Sequence, residues 1–195
     1  EQIVRAAAEA GYAATGIWCD TASWTDATTR AVSQQLRAGT LLALDIEVIC
    51  MGAGREVSDA ARRLIDVGGT LRAHNVLIVS ANPSLADTKH QFATLCECAD
   101  RAGMRAVLEF LMIAEVKTLA QALEIVTDVG HPAGGVLIDA LHLARCGATV
   151  ADVERIAPVW LPYAQLCDAK AVLSNPGYDS HLADALDGRC APGEG

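Results

Sequence analysis

The 195-residue chain has no run of Lys or Arg, and its 15 basic against 24 acidic side chains leave a formal charge of −9. Phosphate backbones and anionic lipid reward basic patches, so this balance argues against nonspecific binding to nucleic acid or to a membrane surface. No apolar segment approaches the roughly 20 residues needed to cross a bilayer. No signal-peptide pattern opens the chain either, and a soluble protein is expected. Seven cysteines (Cys19, Cys50, Cys96, Cys98, Cys146, Cys167 and Cys190) are present without a CxxC pair or a His-rich zinc spacing. Odd in number and scattered, they read as reduced thiols of a cytoplasmic protein, filling the core as small apolar residues. Neither GxGxxG nor GxxxxGK[ST] follows any apolar run, which removes support for the dinucleotide and P-loop versions of an α/β fold.

What is present is ample apolar material: 52% of residues are hydrophobic, enough for one domain over residues 1–195 with a sizeable core. Near-continuous apolar runs stand at 14–18 (ATGIW), 44–51 (LDIEVICM), 75–81 (NVLIVSA), 105–111 (RAVLEFL), 134–140 (GGVLIDA) and 163–169 (YAQLCDA). Parallel strands covered by helices on their faces need such runs. Between them lie amphipathic, Ala-rich helix candidates at 1–10, 26–38, 56–72, 86–102, 117–129 and 149–156. Thr25 or Asp26, Ser58, Ser84, Thr118 (with Glu124 further on) and Thr149 are placed to cap their starts. Gly11, Gly39 and Gly103 are placed to end helices in the left-handed conformation. Repeated βα units of about 30 residues fit either an open doubly wound sheet or a (β/α)8 barrel, and the missing phosphate motifs favour the barrel. Six strands are two fewer than a barrel's eight, so the expected architecture is a (β/α)8 TIM barrel lacking its first and last strands.

In a parallel α/β architecture, function gathers where strands end and loops begin. Glu109, Asp139, Gln165 and Asp168 fall near the ends of their runs, Glu47 lies inside its own, and Asn82 just follows the third. A carboxylate in an apolar parallel strand is costly to bury without a partner. Glu109 and Asp139 come from consecutive strands at one depth, where they would share a proton or bind a cation. Two carboxylates and an amide suit a hard divalent ion rather than zinc. His74 and His90 read as structural.

The segments VLEFL, GGVLIDALHLARCG, YAQLCDA and RCAPGEG, in that order, resemble the xylose isomerase-like TIM barrels, the superfamily of sugar phosphate isomerases and epimerases and of family 2 AP endonucleases. The resemblance implies a divalent metal, manganese first with magnesium or cobalt as alternatives, held by Glu109, Asp139 and Gln165. A fourth ligand would come from an eighth-strand glutamate beyond GEG, for which Glu194 is a poor replacement. Glu109 would double as acid and base, with His142 of the DxxH loop as a catalytic contact. Trp18, Glu47, Asn82, Arg145, Asp168 and Arg189 would face a sugar-like small molecule. The implied chemistry is isomerisation or epimerisation of a sugar, sugar phosphate or polyol-like ketone through a metal-stabilised enediolate. A dehydratase of the 3-dehydroshikimate type, to which Gln165 points, and a truncated barrel that only binds are the alternatives. Endonuclease chemistry, with three zinc ions and a His-rich site, fits poorly with five histidines and the acidic charge. Exposed barrel edges make a homo-oligomer an expectation as well.

Overall fold

A computed structural model describes residues 2–171, 173 and 175–195. Six parallel strands form one sheet in sequential order: β1 (Ala14–Trp18), β2 (Leu42–Met51), β3 (Asn75–Ser80), β4 (Arg105–Glu109), β5 (Gly134–Asp139) and β6 (Ala164–Gln165). Helices α1 (Gln2–Glu9), α2 (Asp26–Ala38), α3 (Asp59–Leu71), α4 (Leu85–Arg101) and α5 (Leu119–Val129) precede β1 to β5 in turn. The result is an open barrel of alternating strands and helices, with β1 and β6 at its edges. No helix among the described residues is long and apolar enough to cross a membrane.

Strand pleat divides the core in two. Even-numbered residues such as Ile46, Val76, Ile78, Ala106, Leu108 and Val136 pack outward against the helices in the main apolar cluster. Odd-numbered Leu77, Val107 and Leu137 form a second cluster on the concave side, with Val48, Val79 and Tyr163 packed against it. The same alternation sends Asp45 and Glu47 of β2, Glu109 of β4, Asp139 of β5 and Gln165 of β6 to the concave side.

The caps explain where the helices start. Thr25, Ser58, Ser84, Thr118 and Thr149 each accept a hydrogen bond from a backbone N–H of the first turn. The capping-box partner of Thr118 is Gln121, not Glu124, because the side chain that reaches back must lie three residues on. Gly11 and Gly103 take the left-handed conformation, whereas at the end of α2 Gly39 stays right-handed and Thr40 takes the positive φ of 54°. Cys19 and Cys96 are buried, but Cys50 is exposed, and all seven cysteines are free.

The expected strand 163–169 is the largest departure. It pairs with β5 only through Ala164 and Gln165, while Asp168 and Ala169 form β7 (Asp168–Ala169), antiparallel to β8 (Arg189–Cys190) in a separate two-stranded ribbon. Between the two, Leu166 is 79% exposed, so no core draws the segment into one strand. Two further helices were not anticipated, α6 (Ala140–Arg145) directly after β5 and α8 (Tyr178–Leu186) before β8, with the short α7 (Val150–Val153) between them. Helix α1 starts at Gln2, and Glu1 of the expected 1–10 helix lies outside the described residues.

Candidate functional site

Glu109 ends β4 and Asp139 ends β5, at the carboxyl end of the sheet, and both are buried, at 8% and 0% exposure. Asp139 also caps α6: its Oδ1 accepts from the backbone N–H groups of Leu141 at 2.8 Å and His142 at 3.3 Å. That cap turns α6 so that the buried His142 comes back over the strand ends. Glu109, Asp139 and His142 can each offer one ligand atom such that all lie within 4.8 Å of one another. His142 Nε2 stands 3.8 Å from Glu109 Oε1, too far for a hydrogen bond. Gln165 lies beside Asp139 in the sheet register.

The electrostatics agree with a cation's place. Burial first, and the neighbouring Asp139 charge second, push the Glu109 carboxyl up to about 8. Burial likewise holds His142 below its usual range, which favours the neutral imidazole that a metal ligand must be. Asp139 is matched instead by Arg189, whose guanidinium Nη1 donates to Oδ2 at 2.7 Å. The same guanidinium reaches His142 Nε2 at 3.4 Å and Cys167 Sγ at 3.4 Å. Two crowded carboxylates beside a neutral imidazole form a donor set that suits a divalent ion.

The remaining expected site residues divide by what their polar atoms do. Trp18, 65% exposed, ends β1 with Glu47 as its register partner, and the Glu47 carboxyl is pushed up to about 7 by burial and by Asp45. Arg145 lies away from the triad: its guanidinium forks onto Asp184 at 2.7 and 3.2 Å and donates to the Lys170 carbonyl at 2.7 Å, clamping α6 to α8. Asn82 is buried and donates to the Gly54 carbonyl at 2.8 Å while accepting from the Ser84 N–H at 3.0 Å. Asp168 accepts backbone N–H bonds from Ala169 and Gly193, each at 2.9 Å, which hold its carboxyl below the usual range.

Two concave-side residues went unnoticed in the sequence. Asp45 is 2% exposed, and its Oδ2 accepts a 2.6 Å hydrogen bond from the hydroxyl of Tyr163, the residue just before β6. The signal was legible, because Asp45 stands two before Glu47 and strand alternation puts both on one face.

An open parallel α/β barrel with a carboxylate–imidazole cluster at its strand ends defines a class, and the sequence supplies its family. The family model of xylose isomerase-like TIM barrels matches residues 4–195, and the chain belongs to that family. No curated protein matches it. Among solved structures, a xylose isomerase-like TIM barrel/4-hydroxyphenylpyruvate dioxygenase fusion protein is 21% identical with a TM-score of 0.82. The match covers 96% of this chain but only 31% of the fusion protein. The IolI protein, solved with a zinc atom, is 17% identical with a TM-score of 0.76, covering 97% of this chain and 72% of that one. The D-psicose 3-epimerase of Clostridium cellulolyticum H10, solved with D-tagatose, is 13% identical with a TM-score of 0.69, covering 96% and 76%. At these identities the likeness is one of fold.

Proposed function

We propose that the protein is a divalent-metal-dependent isomerase or epimerase of a sugar or polyol-like ketone, with residues 1–195 acting as one barrel domain. The observation that carries this reading is the convergence of Glu109, Asp139 and His142 within 4.8 Å at the strand ends. Glu109 and Asp139 hold the ion, with Gln165 beside them, and manganese is the first choice because the set is rich in oxygen. When bound, the metal polarises adjacent carbonyl and hydroxyl oxygens and so acidifies the C–H between them. Glu109, which gives up its own proton in order to hold the ion, is then a carboxylate able to take that proton and return it to the neighbouring carbon or to the opposite face. His142 and Arg189 hold substrate oxygens as negative charge develops on them. Trp18 offers a flat apolar wall, and Asn82, Arg145 and Asp168 fix the loops that frame the opening.

The test is incubation of the Mn²⁺-loaded chain with ketoses in D₂O, followed by NMR. Solvent deuterium in an intact epimer or isomer is the expected result. An unsaturated product would move the protein to the lyases. Metal content after Glu109→Ala and Asp139→Ala is expected to fall, and unchanged content would refute the assignment of the site.

A further inference from the structure

Arg189 reaches the candidate metal centre from the β7–β8 ribbon, outside the barrel sheet, and takes up the atoms that an ion would need. Both lone pairs of Asp139 Oδ1 are spent on the N–H groups of Leu141 and His142. Oδ2 is therefore the oxygen left for a cation, and Arg189 Nη1 donates to it at 2.7 Å. Nη2 of the same fork lies 3.4 Å from His142 Nε2. An arginine N–H can only donate, so this contact uses the lone pair of Nε2, and a neutral imidazole nitrogen has a single one. That nitrogen is also the one facing Glu109 Oε1, at 3.8 Å. Arg189 and a metal ion cannot hold Nε2 together. The guanidinium has room to leave, since its side chain is 32% exposed against 0% for Asp139. Its Nε donates to the Ala185 carbonyl of α8 at 2.7 Å, and α8 is pinned by the Arg145–Asp184 pair, away from the triad. The Nη end can thus swing while the ribbon stays on the barrel.

We propose that Arg189 is the resident cation of this centre and that a divalent ion binds by exchange: the guanidinium gives up Asp139 Oδ2 and His142 Nε2 and turns to the solvent side. The proposal rests on the metal reading above and adds its regulation. Asp139 is wholly buried, and an unmatched charge there is costly, so Arg189 keeps the metal-free site neutralised. A monovalent ion brings no more charge than the guanidinium and forfeits the directed hydrogen bonds of the fork. A divalent ion brings twice the charge to the carboxylates of Asp139 and Glu109. The exchange therefore selects by charge before ligand geometry is tested. It also orders events, because the fork that holds substrate oxygens in the reading above is released to them by the ion.

Crystals of the full chain grown in chelator and in Mn²⁺, together with calorimetry of Mn²⁺ binding at pH 7.5, test the exchange. In chelator Arg189 Nη1 is expected on Asp139 Oδ2, and with Mn²⁺ bound it is expected beyond hydrogen-bond reach. An ion bound beside an intact Arg189–Asp139 pair overturns the proposal. Arg189→Met removes the competing cation and is expected to bind Mn²⁺ about tenfold or more tighter than the wild type, the worth of one charge-assisted hydrogen bond. Arg189→Lys keeps the charge without the fork and should fall between the two. Equal or weaker Mn²⁺ affinity in the folded variants overturns the exchange as well. Near-UV circular dichroism reports that each variant keeps the fold. Should Arg189→Met fail to fold, Arg189→Lys and the pair of wild-type crystals carry the test. Equal Mn²⁺ binding by the wild type and Arg189→Met removes the exchange and leaves the metal reading standing. No Mn²⁺ binding by either removes the metal reading and the exchange with it. Binding by Arg189→Met but not by the wild type is the exchange in its strongest form.

Discussion

Replacing Glu109 by Gln should stabilise the metal-free protein, and by more as the pH rises. The Glu109 carboxyl is pushed from an ordinary 4.5 to about 8 by burial and by Asp139. Below about pH 4.5 the group is protonated in both folded and unfolded chains and contributes nothing to a pH dependence. Between 4.5 and about 8 the unfolded chain releases the proton and the folded one keeps it, so stability is lost as pH rises, tenfold in the folding constant per pH unit. By pH 7 the loss from this one group is about 3 kcal/mol, and above about 8 it is complete. Glutamine keeps the shape and cannot ionise, so its advantage over the wild type should grow from about 1 kcal/mol at pH 5 to about 3 kcal/mol by pH 7. Urea unfolding of both proteins in chelator, at pH 5, 6, 7 and 8, reads this directly. A difference that is constant across pH, or a wild type that gains stability from pH 5 to 8, would refute the placement of Glu109 in a crowded acidic pocket. The same substitution should abolish tight metal binding, so the residue would be kept for its chemistry at a cost in stability.

Metal binding must displace the Glu109 proton, so calorimetric Mn²⁺ affinity should rise about tenfold per pH unit from 6 to 8 and then level; a flat profile would remove Glu109 from the ligands. Asp139→Ala strands the Arg189 charge and uncaps α6, and should cost about 3–5 kcal/mol in urea unfolding. Asp139→Asn, which retains a good cap, should cost about 1 kcal/mol less, and equal losses would show that the cap is idle. Gln91 Nε2 donates to the carbonyls of Gly52 at 3.0 Å, Gly54 at 2.6 Å and Glu56 at 3.2 Å. Gln91→Ala should accordingly raise hydrogen exchange across 52–58 and cost about 1–3 kcal/mol. Protection unchanged in that loop would mean that other contacts hold it.

The barrel halves were legible in the sequence wherever β-branched runs alternated with capped amphipathic stretches, as in NVLIVS after Ser58–Leu71 and before Ser84–Arg101. Glu109 and Asp139 were legible because each is a lone carboxylate at the end of such a run, and their approach within one cluster follows from adjacent strands. Asp45 escaped notice because it opens its run beside Leu44 and Ile46, and its meaning depends on Tyr163, a partner 118 residues away that no local pattern announces. His142 could be placed in a loop after Asp139, but its burial depends on the turn that the Asp139 cap sets. The break between Gln165 and Asp168 was hidden for a similar reason. YAQLCDA has the composition of a strand, yet Leu166 finds no core to enter, and the chain leaves the sheet after two paired residues.

The Tyr163–Asp45 hydrogen bond also says when the pocket can exist. It joins residues 118 positions apart, so it closes a long loop whose entropy is recovered only after β2 to β6 have assembled in order. During synthesis the carboxylates of β2 would emerge well before the tyrosine that faces them, and the concave wall would stay wet and unshaped until β6 docks. The appearance of this hydrogen bond in a folding time course would therefore mark the docking of the segment at β6 onto a wall already built from β2 to β5.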